Sequence, residues 1–171
     1  MKLKTKELIL FSLLGATMFV SKLITELLPN IHLLGLFVVA YTVVFRAKAL
    51  IPIYIFVFLT GIYGGFSFWW VPYIYIWSIL WLAIMLLPKK MPPKIATPVY
   101  MTVSGLFGLL YGVLYSPAQA LLFGYNLEKT LAWIAAGFYF DIIHGISNFL
   151  VASLTPALVT VLKRGVKSIK Q

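Results

Sequence analysis

The chain is predicted to be an all-α integral membrane protein. It should form a single domain over residues 1–171, a bundle of six transmembrane helices with both termini inside the cell. Three observations predict this. The composition is 62% hydrophobic and only 11% charged, whereas soluble domains are about half apolar and a quarter charged. Six apolar runs follow one another with no connection longer than about ten residues. Twelve of the fourteen Lys and Arg residues fall in four clusters: Lys2, Lys4 and Lys6; Arg46 and Lys48; Lys89, Lys90 and Lys94; Lys163, Arg164, Lys167 and Lys170. Each cluster sits at an end of an apolar run that would face one side, while the alternate connections carry the single cation Lys129. Cytoplasmic loops are rich in Lys and Arg, so the clusters mark the inside.

Span one covers Glu7 to Leu28 and closes on the turn signal Pro29-Asn30. Its basic start followed by an apolar run is similar to a signal peptide. It lacks a small-x-small cleavage site and is long enough to span, so it is read as a retained helix. Span two, Ile31 to Phe45, stops at Arg46; span three, Ala49 to Tyr63, stops at Gly64-Gly65. Both fall short of the roughly 20 residues of a spanning helix, so they are short, tilted or partly re-entrant. Span four runs from Trp69 to Leu87 and is closed by the prolines and cations of 88–94. Span five, Ala96 to Phe123, is expected to break near Ser116-Pro117, and span six runs from Leu131 to Leu162. Lipid forces every backbone group to be paired internally, and strand alternation is absent, so all six are helices.

Several function classes are excluded. A net charge of +10 would suit a nucleic-acid binder if the cations formed one face of a soluble fold; here they are sorted by loop. The chain has no Cys for disulfides or thiolate metal sites, and its two His have no ligand spacing, so neither metal nor cofactor is expected. There is no G-x-x-x-x-G-K-[ST], H-E-x-x-H or G-x-S-x-G sequence, so no catalytic residue is assigned and any driving energy must come from a partner or an ion gradient.

Polar groups inside spans are costly and mark candidate sites. Lys22 and Glu26 lie four apart on one face of span one, near the outer surface. They form either a self-neutralising pair that snorkels to the interface or the rim of an outward cavity. Asp141, His144 and Asn148 share one face of span six, with Asp141 roughly 15 Å in from the outer end. A carboxylate at that depth needs a partner, and His144 is the nearest candidate. The trio either locks span six to its neighbours or touches a ligand. The densest signal is aromatic: Tyr63, Phe66, Phe68, Trp69, Trp70 and Tyr73, followed by Tyr75, Trp77 and Trp81. Part of it is an interfacial belt. The Gly64-Gly65 bend also suits a lid laying aromatic faces on a ring-bearing ligand, with His32 joining the rim. Small residues at four-residue spacing, Ser12 with Ala16 and Gly105 through Gly108 to Gly112, allow close helix approach, within the chain or to another subunit.

Six short spans with a small-x-x-x-small patch on the first resemble the membrane-embedded substrate-binding (S) component of energy-coupling factor transporters. The resemblance covers nearly the whole chain. It rests on Ser12-Leu-Leu-Gly-Ala16, on Gly64-Gly-Phe-Ser-Phe-Trp-Trp-Val-Pro-Tyr73 leading into Tyr75-Ile-Trp77, on Gly105-Leu-Phe-Gly108 with Tyr111-Gly112, and on Asp141-Ile-Ile-His144 with Asn148. These stretches look like the subgroup for corrinoid or queuosine-precursor uptake. The resemblance implies capture of a vitamin near the outer face of the bacterial plasma membrane. It further implies toppling while docked on a transmembrane coupling subunit, powered by two cytoplasmic ATPases. The docking patch, usually Ala-x-x-x-Ala, carries over to Ser12 and Ala16, with serine as a departure. A corrinoid such as cobalamin, bulky and largely uncharged, would suit a wide aromatic mouth with few fixed charges. Queuosine-precursor, pantothenate, thiamine or pyridoxine types are alternatives. Two other readings stay open: a small ion-coupled carrier with Asp141 and His144 as proton relay, and an intramembrane enzyme using Asp141, His144 or Glu26 as acid or base.

Overall fold

A computed structural model describes residues 4–28 and 30–170. Lys2, the Pro29 turn signal and the side chain of Lys170 lie outside the described residues. All regular structure among the described residues is helical: α1 (Thr5–Ile24), α2 (Leu34–Phe45), α3 (Leu50–Gly64), α4 (Tyr73–Leu86), α5 (Pro93–Leu109), α6 (Tyr111–Phe123), α7 (Leu127–Val151) and α8 (Thr155–Lys170). Short 3-10 turns, Arg46–Ala49 and Ala152–Leu154, join α2 to α3 and α7 to α8. Four stretches are long and apolar enough to cross a membrane, namely Thr5–Ile24, Leu34–Gly64, Pro93–Phe123 and Leu127–Lys167, with Tyr73–Leu86 a shorter apolar helix. Large apolar side chains such as Ile9, Leu13, Phe58, Leu82, Leu121 and Ile146 point outward. Such a surface is compatible with lipid and costly in water.

Side-chain pairings give the direction of each helix. Phe11 meets Phe45 at 5.2 Å and the Tyr41 hydroxyl donates to Leu14 O at 3.2 Å, so α1 and α2 are antiparallel. Glu7 pairs with Lys48 at 2.5 Å and Phe19 meets Tyr63 at 5.7 Å, so α1 and α3 are parallel. The stretch Leu34–Gly64 therefore reverses at Arg46, whose φ of 54° and ψ of −124° break the helix. A positive φ is uncommon for a residue with a side chain. Bonds to α4 hold this one: the Arg46 guanidinium donates to Met85 O at 2.7 Å, and Trp81 Nε1 donates to Arg46 O at 3.1 Å.

Helix α2 is short because it is interior. Every residue from Leu34 to Thr42 is buried, so protein rather than lipid surrounds it and bilayer thickness does not set its length. Around it pack Met18, Ile53, Phe56, Ile76, Trp77, Leu80 and Phe107. Contact between α1 and α3 is close at Gly15, where a Cβ would lie 2.6 Å from Ile55 Cγ2 and 2.9 Å from Pro52 O. The seam between α5 and α7 is comparably close. A Cβ on Gly108 would lie 2.6 Å from His144 O, and one on Gly145 would lie 3.2 Å from Gly105 O. The glycines of α5 thus serve packing within the chain.

The break expected at Ser116-Pro117 falls instead at Leu110, between α5 and α6. Pro117 sits inside α6. Lacking an N–H, it leaves the Val113 carbonyl four residues back without its ladder partner. The Ser116 hydroxyl donates to that carbonyl at 2.9 Å, which repairs the defect and lets the helix continue. Pro156 has the corresponding effect on Ala152 O, and there the chain tightens into the 3-10 turn Ala152–Leu154.

Glu7, Phe45, Lys48 and Val166 line one small cavity, so the start of α1, the Arg46 reversal and the latter part of α8 share one end of the bundle. That end holds the Arg46/Lys48 cluster and adjoins Lys4, Lys163 and Arg164. The opposite end carries the connections 25–33, 65–72 and 124–126.

Candidate ligand-binding site

A concavity of about 430 Å³ opens at the end away from the cation clusters. Three elements build it. The connection 65–72 contributes Phe68 and Trp69, α6 contributes Tyr111, Tyr115 and Gln119, and α7 contributes Trp133, Phe140 and Asp141. On α6 the spacing i, i+4, i+8 brings Tyr111, Tyr115 and Gln119 to one face. Tyr115 stacks on Trp133 at 5.9 Å with 22° between planes, and its hydroxyl donates to Trp69 O at 2.9 Å. One side chain thus ties α6 to both other walls. Gly65 makes the bend of the connection at φ 82°, where a Cβ is disfavoured.

Asp141 forms the polar floor and is 6% exposed. Its partner is the Gly112 backbone, not His144: Gly112 N donates to both carboxylate oxygens at 3.1 Å. The break at Leu110 leaves Gly112 in the first turn of α6, and Asp141 of α7 caps its amide. A carboxylate at a helix N-terminus is stabilised by the dipole as well as by the bond. Asp141 therefore locks α7 to α6 while one side of it lines the cleft.

Below the cleft lies a polar interior. The His144 ring packs between His32 and Tyr111, each at 4.7 Å, and His32 meets Trp77 at 6.2 Å. His32 Nδ1, His144 Nε2, Trp77 Nε1 and both amide atoms of Asn148 are buried without a hydrogen-bond partner. Unpaired groups at this depth cost about 1–3 kcal/mol each. His32 and His144 thus come together, with Trp77 against His32, in a layer adjoining Asp141 through Tyr111, while Asn148, one turn further along α7, faces Gly35 of α2 with its Oδ1 3.0 Å from that glycine's Cβ position.

The remaining predicted residues divide. Lys22 and Glu26 pair at 3.4 Å and line a second cavity of about 250 Å³ with Tyr63 and Trp69. Trp69 is the wall common to both cavities. Tyr73 packs between Trp69 and Trp77, each at 5.7 Å. Phe66 and Trp70 serve the connection itself: Trp70 Nε1 donates to Val57 O at 2.8 Å, and Phe66 stands edge-on to Trp70 at 4.9 Å. Trp77 belongs to the core, being 1% exposed. Ser12 is exposed on α1 and Ala16 is half-buried beside it. Among the described residues no group of three His, Cys, Asp or Glu could hold a metal ion. Sequence reasoning did not single out Tyr115, Gln119 or Trp133; the signals that could have found them are the face of α6 shared with Tyr111 for the first two, and the i, i+8 spacing of Trp133 and Asp141 on α7 for the third.

No protein-family model, curated protein or solved structure matches the chain.

Proposed function

We propose that this chain is the membrane-embedded capture subunit of an energy-coupling factor type importer. In this reading the chain crosses the bacterial plasma membrane six times, as α1, α2, α3, α4, α5–α6 and α7–α8, with both termini inside. The reversal at Arg46 supports counting α2 and α3 separately. The cations gathered at the opposite end from the aromatic cleft support the orientation. The observation that carries the functional reading is the cleft itself: an aromatic concavity with one buried carboxylate, at the end that would face outward.

A corrinoid is the largest of the expected ligands and would leave most of its body outside a 430 Å³ cleft. That volume lies in the lower half of the range of about 300–1,000 Å³ typical of small-molecule pockets. It favours the smaller alternatives, of the queuosine-precursor, pantothenate, thiamine or pyridoxine kind. The proton-relay reading is less well supported, because Asp141 bonds to Gly112 while His144 packs against His32 and Tyr111.

Mass spectrometry of small molecules co-purifying with the detergent-solubilised protein tests the capture role, and a protein that retains none counts against it. Uptake in cells should require the coupling subunit and its ATPases. Ala16→Leu, beside exposed Ser12 on α1, should reduce uptake about tenfold or more while leaving ligand affinity within about twofold, since a bulky side chain opposes close helix docking. Equal loss of binding and uptake would make the patch a packing feature only.

A further inference from the structure

We infer that the cleft recognises a planar aromatic ring system bearing a protonated amine, with Asp141 as its counter-ion. The inference rests on the capture reading above and specifies the chemical class of the ligand.

The charge inventory of the cleft leads to this. Asp141 is the one carboxylate in its lining, and neither Lys, Arg nor His lines it. The carboxylate has four lone-pair positions on two oxygens, and the bond it receives comes from one neutral amide, Gly112 N–H. Lys22, in the adjoining cavity, is engaged by Glu26 at 3.4 Å and adds no net charge there. A buried carboxylate without a cationic partner is costly, and a ligand ammonium would remove that cost. An anionic ligand would meet repulsion from Asp141 and no compensating cation.

The walls point to the same class. Trp69, Tyr111, Tyr115 and Trp133 place four aromatic rings in the lining that holds the carboxylate. Aromatic faces attract a cation through their quadrupoles and also bury a flat ring. Tyr115 and Trp133, already stacked at 5.9 Å with 22° between planes, show that this lining accepts near-parallel aromatic packing. Gln119 adds an amide that can accept or donate toward ring heteroatoms. The volume of about 430 Å³ suits one or two fused rings with a short aminoalkyl arm.

Three indoles of the same ring and differing charge test the assignment: tryptamine (cation), tryptophol (neutral) and indole-3-acetate (anion). Each is titrated by calorimetry into the full-length protein in detergent after co-purified ligand is removed. Tryptamine should bind at least about tenfold more tightly than tryptophol, the scale of a charge-assisted hydrogen bond, and indole-3-acetate should bind most weakly. Asp141→Asn keeps an acceptor for Gly112 N–H, and there the preference for tryptamine over tryptophol should fall to about one. Trp133→Ala keeps the carboxylate and should weaken tryptamine and tryptophol alike, so their ratio survives. Equal binding of the cation and the alcohol, preference for the acid, or a preference that persists in Asp141→Asn overturns the inference. A neutral or acidic molecule found co-purifying overturns it too, yet leaves the capture role standing. A protein that holds no molecule and binds none of the three indoles removes both.

Discussion

Gly108→Ala should lower the melting temperature of the purified protein by roughly 4–8 °C, although alanine is the better helix former. The replacement gains about 1 kcal/mol of helix propensity in α5. Against this, the new Cβ would stand 2.6 Å from His144 O and 2.9 Å from Gly145 Cα. Both are backbone atoms of α7, so no rotamer change relieves the overlap and the two helices must separate. Overpacking of this kind costs about 1–3 kcal/mol, and the upper end applies because the obstacle is main chain. The net loss of about 2 kcal/mol corresponds to that temperature shift in a protein of this size. Gly165→Ala is the control, since nothing lies within 4 Å of its Cβ position in α8. It should leave the melting temperature unchanged or raise it. A Gly108→Ala protein as stable as the Gly165→Ala one would mean that α5 and α7 do not meet as closely as described.

The same seam shows what a sequence of this kind can and cannot reveal. Helical class was legible because long apolar runs in lipid have no other way to pair their backbone. The uses of Gly105 and Gly108 were not, since small-residue spacing serves contacts within and between chains equally well. Trp77 was grouped with the interfacial aromatics, but it is a core residue. Hydropathy cannot make that distinction, because lipid and protein interior are equally apolar. The short length of span two was noticed, but its cause, burial of α2 on every side, depends on the packing of the other helices. At the site, Asp141 was legible from the cost of a carboxylate at that depth. Its partner was not, because a backbone amide freed at Leu110 carries no residue signature. The break itself was placed at Pro117, where the neighbouring Ser116 hydroxyl in fact heals the ladder.

Trp77→Ala should have the largest effect of any single side-chain truncation, with ligand binding lost alongside stability. The indole lies behind the site and is enclosed by Phe56, Tyr73, Phe107, Tyr111 and His32, with ring centroids 5.7–6.3 Å away. Truncation of a buried tryptophan costs about 3–5 kcal/mol, because the neighbours close only part of the void. Roughly 10 °C of melting temperature should go with it. Tyr111 and His32 would lose the surface that fixes them, so the wall of the cleft would relax inward. Trp77→Phe separates packing from polarity. It keeps most of the ring and removes an indole N–H that is buried with no hydrogen-bond partner. The smaller void and the relieved N–H then oppose each other, at about 1–3 kcal/mol for the unpaired donor. The phenylalanine protein should melt within a few degrees of the parent and keep its ligand affinity. Thermal unfolding of both variants by near-ultraviolet circular dichroism, with titration of the co-purified ligand, measures the two effects together. If Trp77→Phe is as damaging as Trp77→Ala, the indole N–H is bonded in solution, and the polar layer of His32 and His144 extends to a bound water or ligand.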